Sequence, residues 1–166
     1  MSPPNSNFGK EARLKQNEAA LAQFRFLAND LVLLCGRHAV RVNATPLKLG
    51  SHAFTMLVLL AERALTPSGE LFATEDVIST LERSRRRLGA LGLSWGNPTD
   101  LSIFKAVCAL RAALTRAGLN PRLVESVRGQ GYRLNTPAMN VLVDPAVRIS
   151  SGPRHPRGIF GANWPD

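Results

Sequence analysis

The chain has 166 residues, 45% of them hydrophobic, and a formal net charge of +9. That is long enough for one domain with a real core plus tails, and too apolar to remain disordered. A charge of that size says nothing about fold but points to an anionic partner, nucleic acid or an acidic membrane surface.

Residues 1–9 are mostly Pro, Asn and Ser and are expected to be loose. "MSPPNSNFGKEARLKQ" has no apolar core of the kind a signal peptide needs. Residues 10–24 are helix formers without a breaker, and Leu14, Leu21 and Phe24 fall roughly on one face. This predicts a short helix, either lying on the body or forming a dimer contact. Residues 1–24 are thus expected to form an N-terminal tail and short helix.

The body is expected over residues 25–136. It opens with β-like pieces, "RFLA", "LVLLC", "AVRV" and "LKL", punctuated by Asn29, Asp30, Gly36 and Pro46. "SHAFTMLVLLAERAL" (51–65) has helical spacing at Phe54, Leu57, Val58, Ala61 and Leu65, and is apolar nearly all round. Such a helix must be central or covered by something else, with the 10–24 segment a candidate cover. Its run "MLVLLA" is too short to span a bilayer, so a cytoplasmic protein is expected. "TPSGE" (66–70) predicts a turn. "TEDVISTLERSRRRL" (74–88) predicts a second helix capped by Thr74, with Ile78 and Leu81 inward and Arg83, Arg85, Arg86 and Arg87 at its end. "GALGLSWG" (89–96) predicts a glycine-rich loop in which Trp95 is a core or loop anchor.

A third helix is predicted from Pro98 to about Ala117, with Asn97 as cap and Gly118 beyond its end. Ile103, Val107, Leu110 and Leu114 form its buried stripe, which leaves Ser102, Lys105, Ala109, Ala112 and Arg116 outside. "VESVRGQGYRL" (124–134) then predicts a hairpin whose turn Gly129 and Gly131 keep slim, with Arg128 at the tip. Residues 137–166 are punctuated by Pro and Gly and are expected to form a flexible C-terminal tail.

The basic charge is concentrated. From Arg83 to Arg133, ten Lys or Arg stand against Asp100 and Glu125. Cys35 and Cys108, in apolar contexts, exclude a disulfide framework and are expected to be buried thiols in a reducing compartment. His38, His52 and His155 have no ligand spacing, so no metal is expected. No Ser or Cys nucleophile has a recognisable base partner, and the Gly-x-Gly at 129–131 leads into a strand, unlike a dinucleotide loop. No enzyme and no cofactor is expected.

The order of elements predicts an α+β winged helix-turn-helix: a small N-terminal antiparallel sheet, a three-helix core and a C-terminal β-hairpin wing. A helix fits the major groove of DNA and a thin basic loop the minor groove. "VESVRGQGYRL" resembles the wing of OmpR/PhoB-type effector domains, "CALRAAL" (108–114) the end of their recognition helix, and "LKLGSHAFTMLVLL" (47–60) the start of their first helix. The resemblance covers residues 25–136 and implies a DNA-binding transcription regulator, often a dimer or tandem pair on direct repeats, associated with the nucleoid. It implies DNA contacts by Arg111 on the recognition helix and by Ser126, Arg128 and Tyr132 on the wing, beside Gln130 and Arg133. Together with Ser102, Lys105, Ala109, Ala112 and Arg116 these are the expected interface. Ala109 and Ala112 are suited to touching thymine methyls. Arg83, Arg85, Arg86 and Arg87 are expected phosphate or partner contacts.

The chain departs from the family pattern at several places. With 24 residues ahead of the body, no receiver domain is expected, and hence no phosphorylation control through one. Gly50 and Ala53 stand where the family has a reciprocal Thr/Glu cap. The link before the third helix is long and arginine-rich, and that helix is poor in long polar readers. The alternative expectation is an interaction module that binds RNA polymerase or another regulator.

Overall fold

A computed structural model describes residues 32–67 and 71–150. The 10–24 helix, the "RFLA" piece, part of the "TPSGE" turn and the chain beyond 150 lie outside the described residues.

The described chain begins with three short strands, β1 (Val32–Leu34), β2 (Val40–Val42) and β3 (Thr45–Leu47). The third strand differs from the expected "LKL". Asn43 and Ala44, both at positive φ, turn the chain at once, so pairing resumes at Thr45 and places Pro46 in the strand. Pro46 is tolerated because β3 is an edge strand, where a missing N–H breaks no ladder. The sheet order is β3-β2-β1-β6, with β6 (Val141–Val143) parallel to β1. The sheet is therefore mixed, not purely antiparallel.

This strand also moves the expected boundary at residue 136. The described residues after it belong to the body, not to a tail. Val141 and Val143 point inward with Val32, Leu34, Val40, Val42 and Leu47, and Val147 and Ile149 are buried as well. Buried Glu62 holds the end of this strap by accepting from the backbone N–H of Ile149 at 2.5 Å, the N–H of Ser150 at 3.0 Å and the Ser150 hydroxyl. A single three-residue apolar run, paired with a strand over a hundred residues earlier, carries almost no local signal.

Helix α1 (Ser51–Ala64) is buried from Ala53 through Glu62. It is central: the sheet strand β6, the helix over Asp100–Arg116 and the wing strand over Gly131–Leu134 all pack on it. Gly50 caps it without a side-chain bond. Helix α2 (Thr74–Arg83) starts one residue earlier than expected, with Ala73 at the cap and no side-chain cap bond at its start. Val77, Thr80 and Leu81 are its buried residues, and Ile78 is partly buried.

The expected single helix over 74–88 is broken at Ser84, and a short α3 (Arg85–Ala90) follows. Serine competes for backbone bonds inside a helix, and like charges at helical spacing repel, so the Arg-Ser-Arg-Arg-Arg run is a weak point. Leu88 anchors α3 in the core, and Leu93 and Trp95 bury the loop after it.

Helix α4 (Asp100–Arg116) is capped by Thr99, not Asn97. The Thr99 hydroxyl accepts from Ser102 N–H at 3.1 Å, and the Ser102 hydroxyl accepts from Thr99 N–H at 2.8 Å. This reciprocal pair satisfies two otherwise orphaned donors. At the other end Gly118, at φ 78, reverses the chain, and Leu119 and Gly118 N–H groups bond the carbonyls of Leu114 and Thr115. Strands β4 (Val124–Val127) and β5 (Gly131–Leu134) complete the fold. Helical core, tight turn and terminal hairpin together are a winged helix. Among the described residues no helix is long and apolar enough to cross a membrane.

Candidate nucleic-acid interface

The wing is antiparallel, with Val124 opposite Leu134 and Val127 opposite Gly131. Val124 and Leu134 are buried at its base, while Arg128, Gly129 and Gln130 are exposed at its tip. Gln130 N–H donates to the Val127 carbonyl at 2.9 Å, and Gly129 takes φ 75. Gly131 is required for a second reason. Tyr132 and Phe72 exchange two backbone hydrogen bonds of 3.0 and 2.8 Å, which presses the Phe72 carbonyl against Gly131. A Cβ at Gly131 would lie 2.2 Å from that oxygen.

Helix α4 buries Ile103, Val107, Leu110 and Leu114, as the spacing predicts, and Ala106 and Ala113 beside them. Its exposed face carries Lys105, Ala109, Ala112 and Arg116, but also Leu101, Phe104, Cys108 and Thr115. Ser102 is only half-exposed. Its hydroxyl belongs to the cap and accepts from the Trp95 indole N–H at 3.3 Å, while Trp95 stacks on His52 with ring centroids 4.1 Å apart. The centre of the outward face is therefore turned away from Ser102, towards Leu101 and Cys108. Leu101 and Phe104 were missed because apolar side chains on a helix are assumed to face inward. The signal was present: neither fits the 103–107–110–114 stripe. Cys35 and Cys108 are both exposed, not buried; Cys108 follows Val107 directly and so falls outside that stripe.

Several expected contacts are occupied within the protein. Arg111 donates from Nε to the Val124 carbonyl at 2.9 Å and from Nη2 to the Ser126 hydroxyl at 2.7 Å. It braces α4 against the wing, and Ser126 is its acceptor. Arg133 pairs with Glu125 at 2.5 Å along the hairpin. Tyr132 is half-buried. Burial pushes its hydroxyl pKa above the usual value; Arg111 pulls it down, and Cys108 and Asp100 push it further up. Tyr132 lies opposite Ser126 in the hairpin, and so belongs to the joint between wing and α4. Arg87 donates to the carbonyls of Arg148 and Ala146, both at 2.8 Å, and so ties α3 to the C-terminal strap.

Lys105, Arg116, Arg122 and Arg128 are exposed, the first two on α4 and the others on the approach to the wing and its tip. Arg83, Arg85 and Arg86 are exposed too, on α2 and α3. The structure thus brings Arg111, Ser126 and Tyr132 together as a joint, and sets Arg83 through Arg87 on separate elements. Among the described residues no group of His, Cys, Asp or Glu could hold a metal ion.

No protein-family model and no curated protein matches the chain. Among solved structures, it is similar to the DNA-binding domain of response regulator AdeR, determined in complex with an intercistronic region. The identity is 17% and the TM-score 0.46, over 66% of this chain and 96% of that one.

Proposed function

We propose that the protein is a DNA-binding transcription regulator, with α4 in the major groove and the wing tip at the adjacent minor groove. The carrying observation is the Arg111 brace. By bonding both Val124 and Ser126 it makes α4 and the wing one rigid unit. That unit exposes Lys105 and Arg116 on α4, Arg122 on the approach to the wing and Arg128 at its tip. Lys105 is the residue suited to a base edge, and Arg128 to a narrow, electronegative minor groove. One such unit covers too little surface for strong specificity, so two copies are expected side by side on the duplex.

Binding of a labelled duplex across a salt series tests this reading. Four neutralised phosphates give a slope of log affinity against log salt of about −3 to −4. Absence of binding at low salt, or a flat dependence, refutes it.

One observation favours a second reading, a module that binds RNA polymerase or another regulator: the exposed Leu101 and Phe104 on α4. The surrounding cations place DNA first.

A further inference from the structure

The first half of α4 carries an unusual surface. Leu101 is 59% exposed and Phe104 52% exposed, and Cys108 and Ala112 continue the same strip down the helix. Nothing in the fold requires large apolar side chains there, since the core is complete on the opposite side. The strip is also not isolated. Lys105 adjoins it on the helix, and the wing braced to the same helix carries Arg128 exposed at its tip. Phe104 and Arg111 are seven residues apart, two turns, so they share one side of α4. Arg111 is bonded to the wing, and Phe104 therefore stands on the wing side of the strip.

An occupant must offer apolar contact in the middle and negative charge at the edges, at the width of one helix. The major groove of thymine-rich DNA does so. Its phosphates supply the charge, and the thymine C5 methyl is the apolar feature on a base edge. The N-terminal part of a recognition helix is also the part that reaches base edges. We infer that Leu101 and Phe104 are specificity-determining residues that read thymine methyls in the major groove. The inference rests on the DNA reading proposed above and adds the base feature that is recognised.

The test uses the full chain and two duplexes of equal length, alternating A–T and alternating A–U. Uracil pairs like thymine and leaves the minor-groove edge unchanged, but lacks the methyl. Burial of one methyl is worth about fourfold in affinity, so loss of two contacts gives roughly a ten- to twentyfold preference for A–T. Leu101→Ala and Phe104→Ala each narrow that preference, and the double variant brings it within about twofold. Both side chains lie outside the core, so the variants fold. Arg128→Ala weakens binding to both duplexes alike.

Equal affinity of the unsubstituted protein for the two duplexes overturns the methyl reading alone. A preference that persists in the double variant overturns it too, and assigns the effect to duplex shape. Unchanged A–T affinity in the double variant overturns it and leaves the strip to a protein partner. Failure to bind either duplex at low salt overturns the DNA reading together with this one.

Discussion

Two tight hairpins in this molecule are held in different ways. The hairpin of β2 and β3 forms one side of a four-stranded sheet, joined to β1 along β2, with Val40, Val42 and Leu47 buried on its inner face. Its turn, Asn43–Ala44, has only to reverse the chain. The wing is buried only at its base, by Val124 and Leu134, and is otherwise fixed by discrete ties: the Phe72 pairing and the Arg111 brace. A hairpin embedded in a sheet tolerates imperfect turn residues. One fixed by a few backbone contacts depends on each of them, and in return its tip stays free for a ligand.

The largest effect is expected where the wing meets Phe72. Gly131→Ala combines φ 132 with a Cβ 2.2 Å from the Phe72 carbonyl oxygen. Relief requires breaking the Phe72–Tyr132 pairing, so the substitution costs about 3–5 kcal/mol. Gly129→Ala meets nothing within 4 Å and carries only the penalty of its φ of 75, about 1–2 kcal/mol. Denaturant unfolding of both variants measures the difference. Equal losses would show that the wing is not gripped by Phe72.

Next is the brace. Arg111→Ala leaves the Val124 carbonyl and the Ser126 hydroxyl without their donor and costs about 1–3 kcal/mol of stability. Arg111→Lys does not restore it, because an ammonium cannot reproduce the two-pronged geometry. DNA affinity falls with both, since the wing is no longer set relative to α4. Stability and affinity unchanged in Arg111→Ala would separate the two parts that the proposed interface joins.

The wing was legible in the sequence because its determinants are local: two glycines two apart, alternating strands and an arginine at the tip. The buried face of α4 was legible for the same reason, from the spacing of Ile103, Val107, Leu110 and Leu114. What could not be read is non-local. Strand β6 gains its identity only by pairing with β1, and Pro46 becomes a strand residue only because β3 is an edge. The outward face of α4 was legible at Lys105, Ala109, Ala112 and Arg116 but not at its edges, because polarity and exposure part company there. Ser102 is polar but serves the cap, and Arg111 is charged but serves the brace. Leu101 and Phe104 are apolar and exposed, and a large exposed apolar strip is a mark of function.

A smaller and purely functional effect belongs to the wing tip. Arg128 is exposed and contributes nothing to the hairpin's attachment, so Arg128→Ala leaves stability within about 0.5 kcal/mol. DNA binding weakens by about 1–3 kcal/mol, and the salt slope becomes shallower by about one. The preference for A·T-rich flanks flattens as well. Equal, small losses at Arg128, Arg85 and Arg86 would show that the tip has no special place on the duplex.

The smallest effect is expected at the other hairpin. Ala44 takes φ 73, a left-handed conformation that costs an L-residue about 1–2 kcal/mol. Ala44→Gly removes that strain and creates Asn-Gly, the pair best suited to a tight turn with both central residues at positive φ. Against this, glycine widens the unfolded ensemble and returns about 0.4–1 kcal/mol. The two terms nearly cancel, and the net is a gain of about 0.5 kcal/mol, with DNA binding unchanged. Denaturant midpoints measured beside Gly131→Ala place the two turns on one scale. A loss above about 1 kcal/mol in Ala44→Gly would mean that the Ala44 methyl has a role in the sheet, and that the embedded hairpin is as exacting as the wing.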